Sequence, residues 1–216
     1  MILSEFKYRI FTSSILLFLI FLLIQNQFIL MYSVLVFGVL SLIEFFDLIQ
    51  KITKKILFKF ISKTLFIIFV STFCILFSYF SFFFQIKILL FIFLFGCIGS
   101  DIGGYIFGKI FKGPKLTKIS PNKTYAGMFG GYILSIISYS FFIENYTLNQ
   151  IQLSDIGYVL LVSSISQLGD LAVSYFKRRS KIKNTGNLLP GHGGLLDRID
   201  GLIFVLPIIY AYNLFI

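Results

Sequence analysis

Three carboxylates and a dense set of bases stand between Gly169 and Gly201: Asp170, Asp197 and Asp200, with Lys177, Arg178, Arg179, Lys181, Lys183 and Arg198. The same stretch holds His192, the single histidine of the chain. Asp197 and Asp200 are three residues apart and share a face if that segment is helical. Two carboxylates on one face, with Asp170 from another helix, make a hard oxygen site suited to Mg2+, the ion that accompanies a nucleoside triphosphate. The bases suffice to hold several phosphates, although the excess of positive charge in cytoplasmic loops accounts for part of them. Pro190-Gly191-His192-Gly193-Gly194 is a tight connection whose glycines let backbone approach a ligand. No second His or Cys lies near His192, so hydrogen bonding to a phosphate is expected of it rather than zinc ligation.

A second polar stretch runs from Gly99 to Gly131. Asp101 falls in or at the edge of an apolar span, where a carboxylate costs about 2.5–3.5 kcal/mol, so it is expected to face a polar cavity. The glycines around it, Gly99, Gly103, Gly104 and Gly108, read as close helix packing. Ser120-Pro121-Asn122-Lys123-Thr124 reads as a helix start, with Ser120 the cap and Pro121 the first helical residue. That reading does not use Lys123, Thr124 or the following Gly127, Gly130 and Gly131. A cationic, hydroxyl-bearing loop at a helix N-terminus suits phosphate. Glu44 and Asp47, three residues apart at the end of an apolar run, read as interfacial anchors or partners of Lys51. The segment 51–63 alternates Lys with Ile, Leu and Phe, as an interfacial amphipathic turn or short helix on anionic headgroups would.

The elements that must position these residues are membrane spans. Of 216 residues 57% are hydrophobic and 13% charged, and mean hydropathy is +0.92. The apolar runs are continuous rather than alternating, which favours helices over a barrel. The expectation is an all-α polytopic membrane protein with about seven transmembrane helices, near 10–25, 28–48, 64–83, 88–108, 125–143, 156–176 and 201–216. It reads as a single membrane domain, 1–95 supplying N-terminal helices and 96–216 the motif-bearing part. With the N-terminus cytoplasmic and the C-terminus outside, every Lys and Arg except Lys87 falls in a cytoplasmic segment, while Glu144 and Asp155 fall outside. The net charge of +10 is thus assigned to orientation and to membrane lipids, with no nucleic-acid partner. Lys7 and Arg9 precede an apolar stretch without a small-residue cleavage site, so an uncleaved first span is expected. The segment 144–155 reads as an external loop without chemistry. Cys74 and Cys97, far apart in apolar runs, read as buried inert thiols.

Taken together, SYFKRRSKIKNTGNLLPGHGGLLDRIDG resembles the signature of the phosphatidate cytidylyltransferases, the CDP-diacylglycerol synthases. Ser174, Lys177, Arg178, Lys183, His192, Gly193, Gly194, Asp197, Arg198 and Asp200 match in type and spacing. Upstream, Gly169-Asp170-Leu171 resembles the family's GDL, and Ser100-Asp101, Gly108, Ser120-Pro121-Asn122-Lys123-Thr124 and Gly127 resemble its SD, glycine and SPKKT block. The motifs cover residues 95–216. One position departs: Asn184 stands where the family has Asp after the second motif lysine. Family chains are also longer, a difference expected to lie in N-terminal helices.

The resemblance implies transfer of CMP from CTP to phosphatidate, giving CDP-diacylglycerol and pyrophosphate. It implies Mg2+ on Asp170 and Asp197, with Asp200 as ligand or close support. Lys123, Lys177, Arg178 and Lys183 would bind the triphosphate or lipid phosphate, joined by Ser120, Thr124, Gly193, Gly194 and Arg198. His192 would orient a phosphate oxygen, and Asp101 would line the cavity. The implied setting is a bacterial inner membrane, the site at its cytoplasmic face, with a homodimer as an assembly. Other readings are a CTP-dependent polyprenol or phytol kinase, a transporter with Asp101 and Asp170 on an ion path, and, from Asn184, an inactive lipid-binding relative.

Overall fold

A computed structural model describes residues 26–146, 151–186 and 193–215, and every regular element among them is a helix. In chain order these are α1 (Gln27–Ile52), α2 (Ile56–Phe82), α3 (Phe84–Phe111), α4 (Tyr125–Tyr146), α5 (Leu153–Arg179), α6 (Leu196–Ile199) and α7 (Leu202–Phe215). The first five are long and apolar enough to cross a membrane, as the hydropathy pattern predicts for an integral membrane protein. Helices satisfy their own backbone groups where no water can. The predicted span 10–25 lies outside the described residues. The predicted span 201–216 corresponds to α7, which has 14 residues and contains Pro207. At the helical rise it covers about 21 Å, short of a hydrocarbon core about 30 Å thick.

The described chain divides into two compact units. One is built from residues up to Phe82 together with Phe176–Ile199, the other from Phe83–Tyr175 together with residues from Asp200 onward.

In the first unit α1 pairs with α2. Asn26 opens α1, its side chain accepting from the amides of Phe28 (3.0 Å) and Ile29 (3.3 Å), a standard cap. Phe45 of α1 stacks on Phe66 at 3.8 Å and meets Phe176 edge-on at 5.4 Å. The segment 51–63 is not a separate interfacial element. Lys51 and Ile52 end α1, Thr53–Lys55 form the link, and from Ile56 the chain is already the first turns of α2. The run of Ile, Leu and Phe continues straight into the apolar body of α2, so nothing breaks the helix there. Cys74 is free and buried, as expected.

In the second unit α3 and α4 form the most extensive pairing. A Cβ on Gly103 would come within 2.8 Å of the carbonyl carbon of Gly130 and 3.0 Å of the Gly131 Cα, so the two backbones touch as small-residue packing requires. Polar side chains tie α5 to α3: Ser100 and Ser163 share a 2.7 Å hydrogen bond, and the Gln167 amide donates to both hydroxyls. Cys97 is likewise free and buried. Among the described residues of the segment 144–155, 144–146 end α4 and 153–155 begin α5. Asp155, in the first turn of α5, is buried and accepts from the Gln152 amide (2.9 Å) and the Tyr212 hydroxyl (2.7 Å). A carboxylate at a helix N-terminus also meets the positive end of the helix dipole.

Candidate functional site

In the first unit the site begins where α5 ends. Lys177, Arg178 and Arg179 occupy its last turn, where cations complement the helix dipole. The helix closes with a double bond pattern: Lys181 N–H donates to Arg178 O and Ile182 N–H to Lys177 O, both at 3.1 Å. Lys181 takes the left-handed conformation, φ 59°, that glycine usually supplies at this point. The Ser180 hydroxyl donates to Phe176 O and Lys177 O, both at 3.0 Å. This stop turns the chain sharply and leaves Arg178, Arg179, Lys181 and Lys183 exposed.

Asp197 is the hub beyond this turn. Its Oδ1 accepts from Lys177 Nζ at 2.8 Å, and its Oδ2 accepts from the amides of Thr185 (2.9 Å) and Gly194 (3.1 Å). The two side chains of this ion pair are 14% and 10% exposed. Burial pushes the Asp197 carboxyl up. The Lys177 hydrogen bond, the Thr185 amide, the Lys177 charge and the Gly194 amide outweigh it and hold the carboxyl below its ordinary value. A carboxylate depressed in the folded state contributes stability above its unfolded pKa, near 3.9, and loses it as pH falls through the folded value. The detergent-solubilised protein is therefore expected to lose thermal stability below about pH 4, and Asp197→Asn to remove part of that acid slope. Melting curves across a pH series read both.

Glu44 is neither the interfacial anchor nor the partner of Lys51 that the sequence suggests. It is 4% exposed, and its carboxylate accepts from the Thr185 hydroxyl (2.7 Å) and the amides of Leu195 and Leu196 (both 2.9 Å). Nothing in the type or spacing of Thr185 marks it as a partner of Glu44 in the sequence. The available signal for Glu44 was the one applied to Asp101: a carboxylate in an apolar helix needs partners.

Gly193 adopts φ +85°, and a Cβ there would lie 3.2 Å from both Asn184 Cγ and Asp197 Oδ2. Asn184, the residue that departs from the signature, thus abuts the same glycine as Asp197. Arg198 is exposed. His192 and residues 187–191 lie outside the described residues.

In the second unit the loop between α3 and α4 carries the phosphate-suited motif. Ser120-Pro121-Asn122-Lys123 is a reverse turn closed by Lys123 N–H donating to Ser120 O at 3.0 Å, with proline at the position it favours. The helix start moves accordingly. Thr124, not Ser120, caps α4, its hydroxyl accepting from the Gly127 amide at 3.1 Å. An isolated antiparallel bridge between Lys115 and Thr124 pins the base of the loop. Lys123 Nζ pairs with Asp170 Oδ2, while Asp170 Oδ1 accepts from the Ser174 hydroxyl at 3.4 Å. Asp101 stands within electrostatic reach of both Asp170 and Lys123. Asp200 is buried, and its Oδ1 accepts from the Gly201 amide at 2.9 Å. It follows α6, which ends at Ile199, so Asp200 does not extend a helical face from Asp197. A Cβ on Gly169 would lie 2.9 Å from Asp200 O, so the Gly169-Asp170 step packs on the backbone that carries Asp200.

Among the described residues no group of three or more His, Cys, Asp or Glu is arranged to hold a metal ion. The donor chemistry nevertheless suits a hard cation. Asp170 and Asp197 each turn a carboxylate oxygen toward a lysine ammonium, so each already accommodates positive charge.

The sequence pattern of the cytidylyltransferase family matches residues 3–216. A phosphatidate cytidylyltransferase of Rickettsia bellii is 44% identical over 133 residues, 56% of this chain and 57% of that protein. One of Rickettsia typhi is 42% identical over 58% of this chain and 59% of its own length. One of Staphylococcus aureus is 44% identical over 51% of this chain and 43% of its own length. The chain thus aligns with about half the length of these curated relatives.

Proposed function

The chain belongs to the cytidylyltransferase family, and from that premise we propose that it transfers CMP from CTP to phosphatidate, yielding CDP-diacylglycerol and pyrophosphate. An oxygen of the lipid phosphate forms a bond to the α-phosphorus of CTP. The bond from that phosphorus to the bridging oxygen breaks, and pyrophosphate leaves with the electron pair. Such a reaction asks a protein mainly for positioning and charge neutralisation. The observation that carries the reading is the Lys177–Asp197 pair, held by backbone amides beside the exposed Arg178, Arg179 and Lys183.

Lys177 and Lys123 each hold their charge against a carboxylate, and each has donors to offer a phosphate oxygen. Arg178, Lys183 and Arg198 add charge for the triphosphate or lipid phosphate. Ser120 and Thr124 offer hydroxyls, Gly193 and Gly194 close backbone approach, and His192 a hydrogen bond to phosphate. Mg2+ is the proposed cofactor, with Asp170, Asp197 and Asp200 as candidate ligands. When bound it neutralises developing phosphate charge.

The proposed setting is a bacterial plasma membrane, seven spans with the N-terminus cytoplasmic and the C-terminus outside, and the site at the cytoplasmic face. The gathering of every Lys and Arg except Lys87 in one set of segments supports that orientation. One substrate is a lipid and the other aqueous, which suits an interfacial site. A homodimer is the proposed assembly.

Purified protein in detergent, supplied with Mg2+, labelled CTP and phosphatidate, is expected to form labelled CDP-diacylglycerol. No such product, where a related enzyme assayed in parallel succeeds, overturns the proposal. Phosphorylation of a polyprenol or phytol in its place would support the kinase reading.

A further inference from the structure

Glu44 is a buried carboxylate that the proposed phosphate chemistry does not use. It sits on α1, a helix long and apolar enough to cross a membrane, where a charged side chain is costly and needs partners. Its three donors come from far along the chain: the Thr185 hydroxyl and the amides of Leu195 and Leu196. These are the neighbours of the two amides that fix Asp197. Thr185 donates its hydroxyl to Glu44 and its own N–H to Asp197 Oδ2. Gly194, immediately before Leu195, donates the second N–H to that same oxygen. The outcome is an Asp197 carboxylate with Oδ2 held by backbone and Oδ1 presented to Lys177.

We infer that Glu44 is a positioning residue for the proposed cytidylyl transfer: it clamps Thr185 and Leu195-Leu196 so that Asp197 and Lys177 keep their orientation. The inference rests on the proposed function and adds to it a residue on α1, outside the matched motifs. Oε1 accepts from Leu195, while Oε2 accepts from both Thr185 and Leu196. A neutral amide of the same shape therefore fails, because either orientation puts an NH2 donor against an N–H or O–H donor.

The test compares Glu44→Gln, Thr185→Val and Thr185→Ser with the unaltered protein in detergent. Steady-state kinetics with CTP and phosphatidate are read beside amide hydrogen exchange in the peptide spanning Leu195 and Leu196. Glu44→Gln is expected to lower kcat about 10–100-fold, as loss of a supporting hydrogen bond commonly does. KM for phosphatidate should change little, and exchange at 195–196 should accelerate. Thr185→Val should lose kcat, while Thr185→Ser, which keeps the hydroxyl, should stay near the unaltered rate. If Glu44→Gln does not fold, the Thr185 pair carries the same comparison with the carboxylate intact. Unchanged kcat in a folded Glu44→Gln protein overturns the inference. So does unchanged exchange, or a Thr185→Ser protein as impaired as Thr185→Val. An unaltered protein that makes no CDP-diacylglycerol overturns the proposed function and this catalytic role together. Exchange in Glu44→Gln then still reports whether Glu44 clamps the loop.

Discussion

Asp197→Asn is expected to reduce CDP-diacylglycerol formation about a thousandfold or more, the scale of losing a preorganised charge at a phosphoryl site. The geometry explains why an isosteric amide is a poor replacement. Asp197 Oδ2 accepts two amide N–H groups, so the amide oxygen of Asn must take that place. Its NH2 then faces Lys177 Nζ, which stands 2.8 Å from Oδ1 in the native arrangement, and a donor meets a donor. Lys177, 14% exposed, is left as a cation without its counter-charge, a situation that costs about 3 kcal/mol of stability. The melting temperature should therefore fall while the protein still folds. A double variant, Lys177→Met with Asp197→Asn, removes both charges while the Asn oxygen still accepts the Thr185 and Gly194 amides, and should recover much of the lost stability without recovering turnover. Turnover of Asp197→Asn within about tenfold of the unaltered protein, a barrier change of only about 1.4 kcal/mol, would remove Asp197 from the catalytic machinery.

The features legible in the sequence were those decided locally. A membrane-spanning helix satisfies its own backbone within one segment, so hydropathy located α1, α3, α4 and α5 to within a few residues, while α2 begins at Ile56, before the expected span 64–83. The signature residues that led to the family were legible for a similar reason, since their types and spacing are local facts. Contacts between distant segments were not. Glu44 lies 141 positions from Thr185, and Lys177 lies 20 from Asp197. Each side chain alone has an ordinary surface explanation, and only folding assigns its partner. The helix start at 120–125 was misplaced for another reason. Ser120 and Thr124 are both competent caps, and Pro121 suits either a first helical turn or the second position of a reverse turn. The reverse turn prevails: Lys123 N–H reaches Ser120 O, and Leu116 N–H reaches Lys123 O at 2.8 Å. That leaves Thr124 to cap. The sequence reading gave Thr124 a phosphate role on the strength of its hydroxyl. In the structure that hydroxyl accepts the Gly127 amide, and its proton remains available to donate.

Gly194→Ala is the substitution expected to disturb the site most without changing any charge. A Cβ at this position would collide with Thr185 Oγ1 and come within 2.5 Å of Glu44 Oε2 and 2.6 Å of Gly186 N. None of these atoms is the loose end of a surface side chain. The Thr185 hydroxyl and the Glu44 carboxylate hold each other at 2.7 Å, and Gly186 N is backbone. The added methyl must therefore part Glu44 from Thr185 or push Gly194 off Asp197 Oδ2, breaking bonds whose buried groups then go unmatched. Overpacking of this kind costs about 1–3 kcal/mol, and lost hydrogen bonds add to it, so both turnover and melting temperature should drop sharply. Gly157→Ala is the control. It too lies in a described segment, on α5, but a Cβ there meets nothing within 4 Å. In a helix interior that exchange is expected to be neutral or stabilising by about 0.5–1 kcal/mol. Melting curves and CDP-diacylglycerol assays on the two proteins side by side separate the loop's tight fit from a general intolerance of added methyl groups. A Gly194→Ala protein as stable and active as Gly157→Ala would show that the loop is not held as closely as the Glu44–Thr185–Asp197 bonds require.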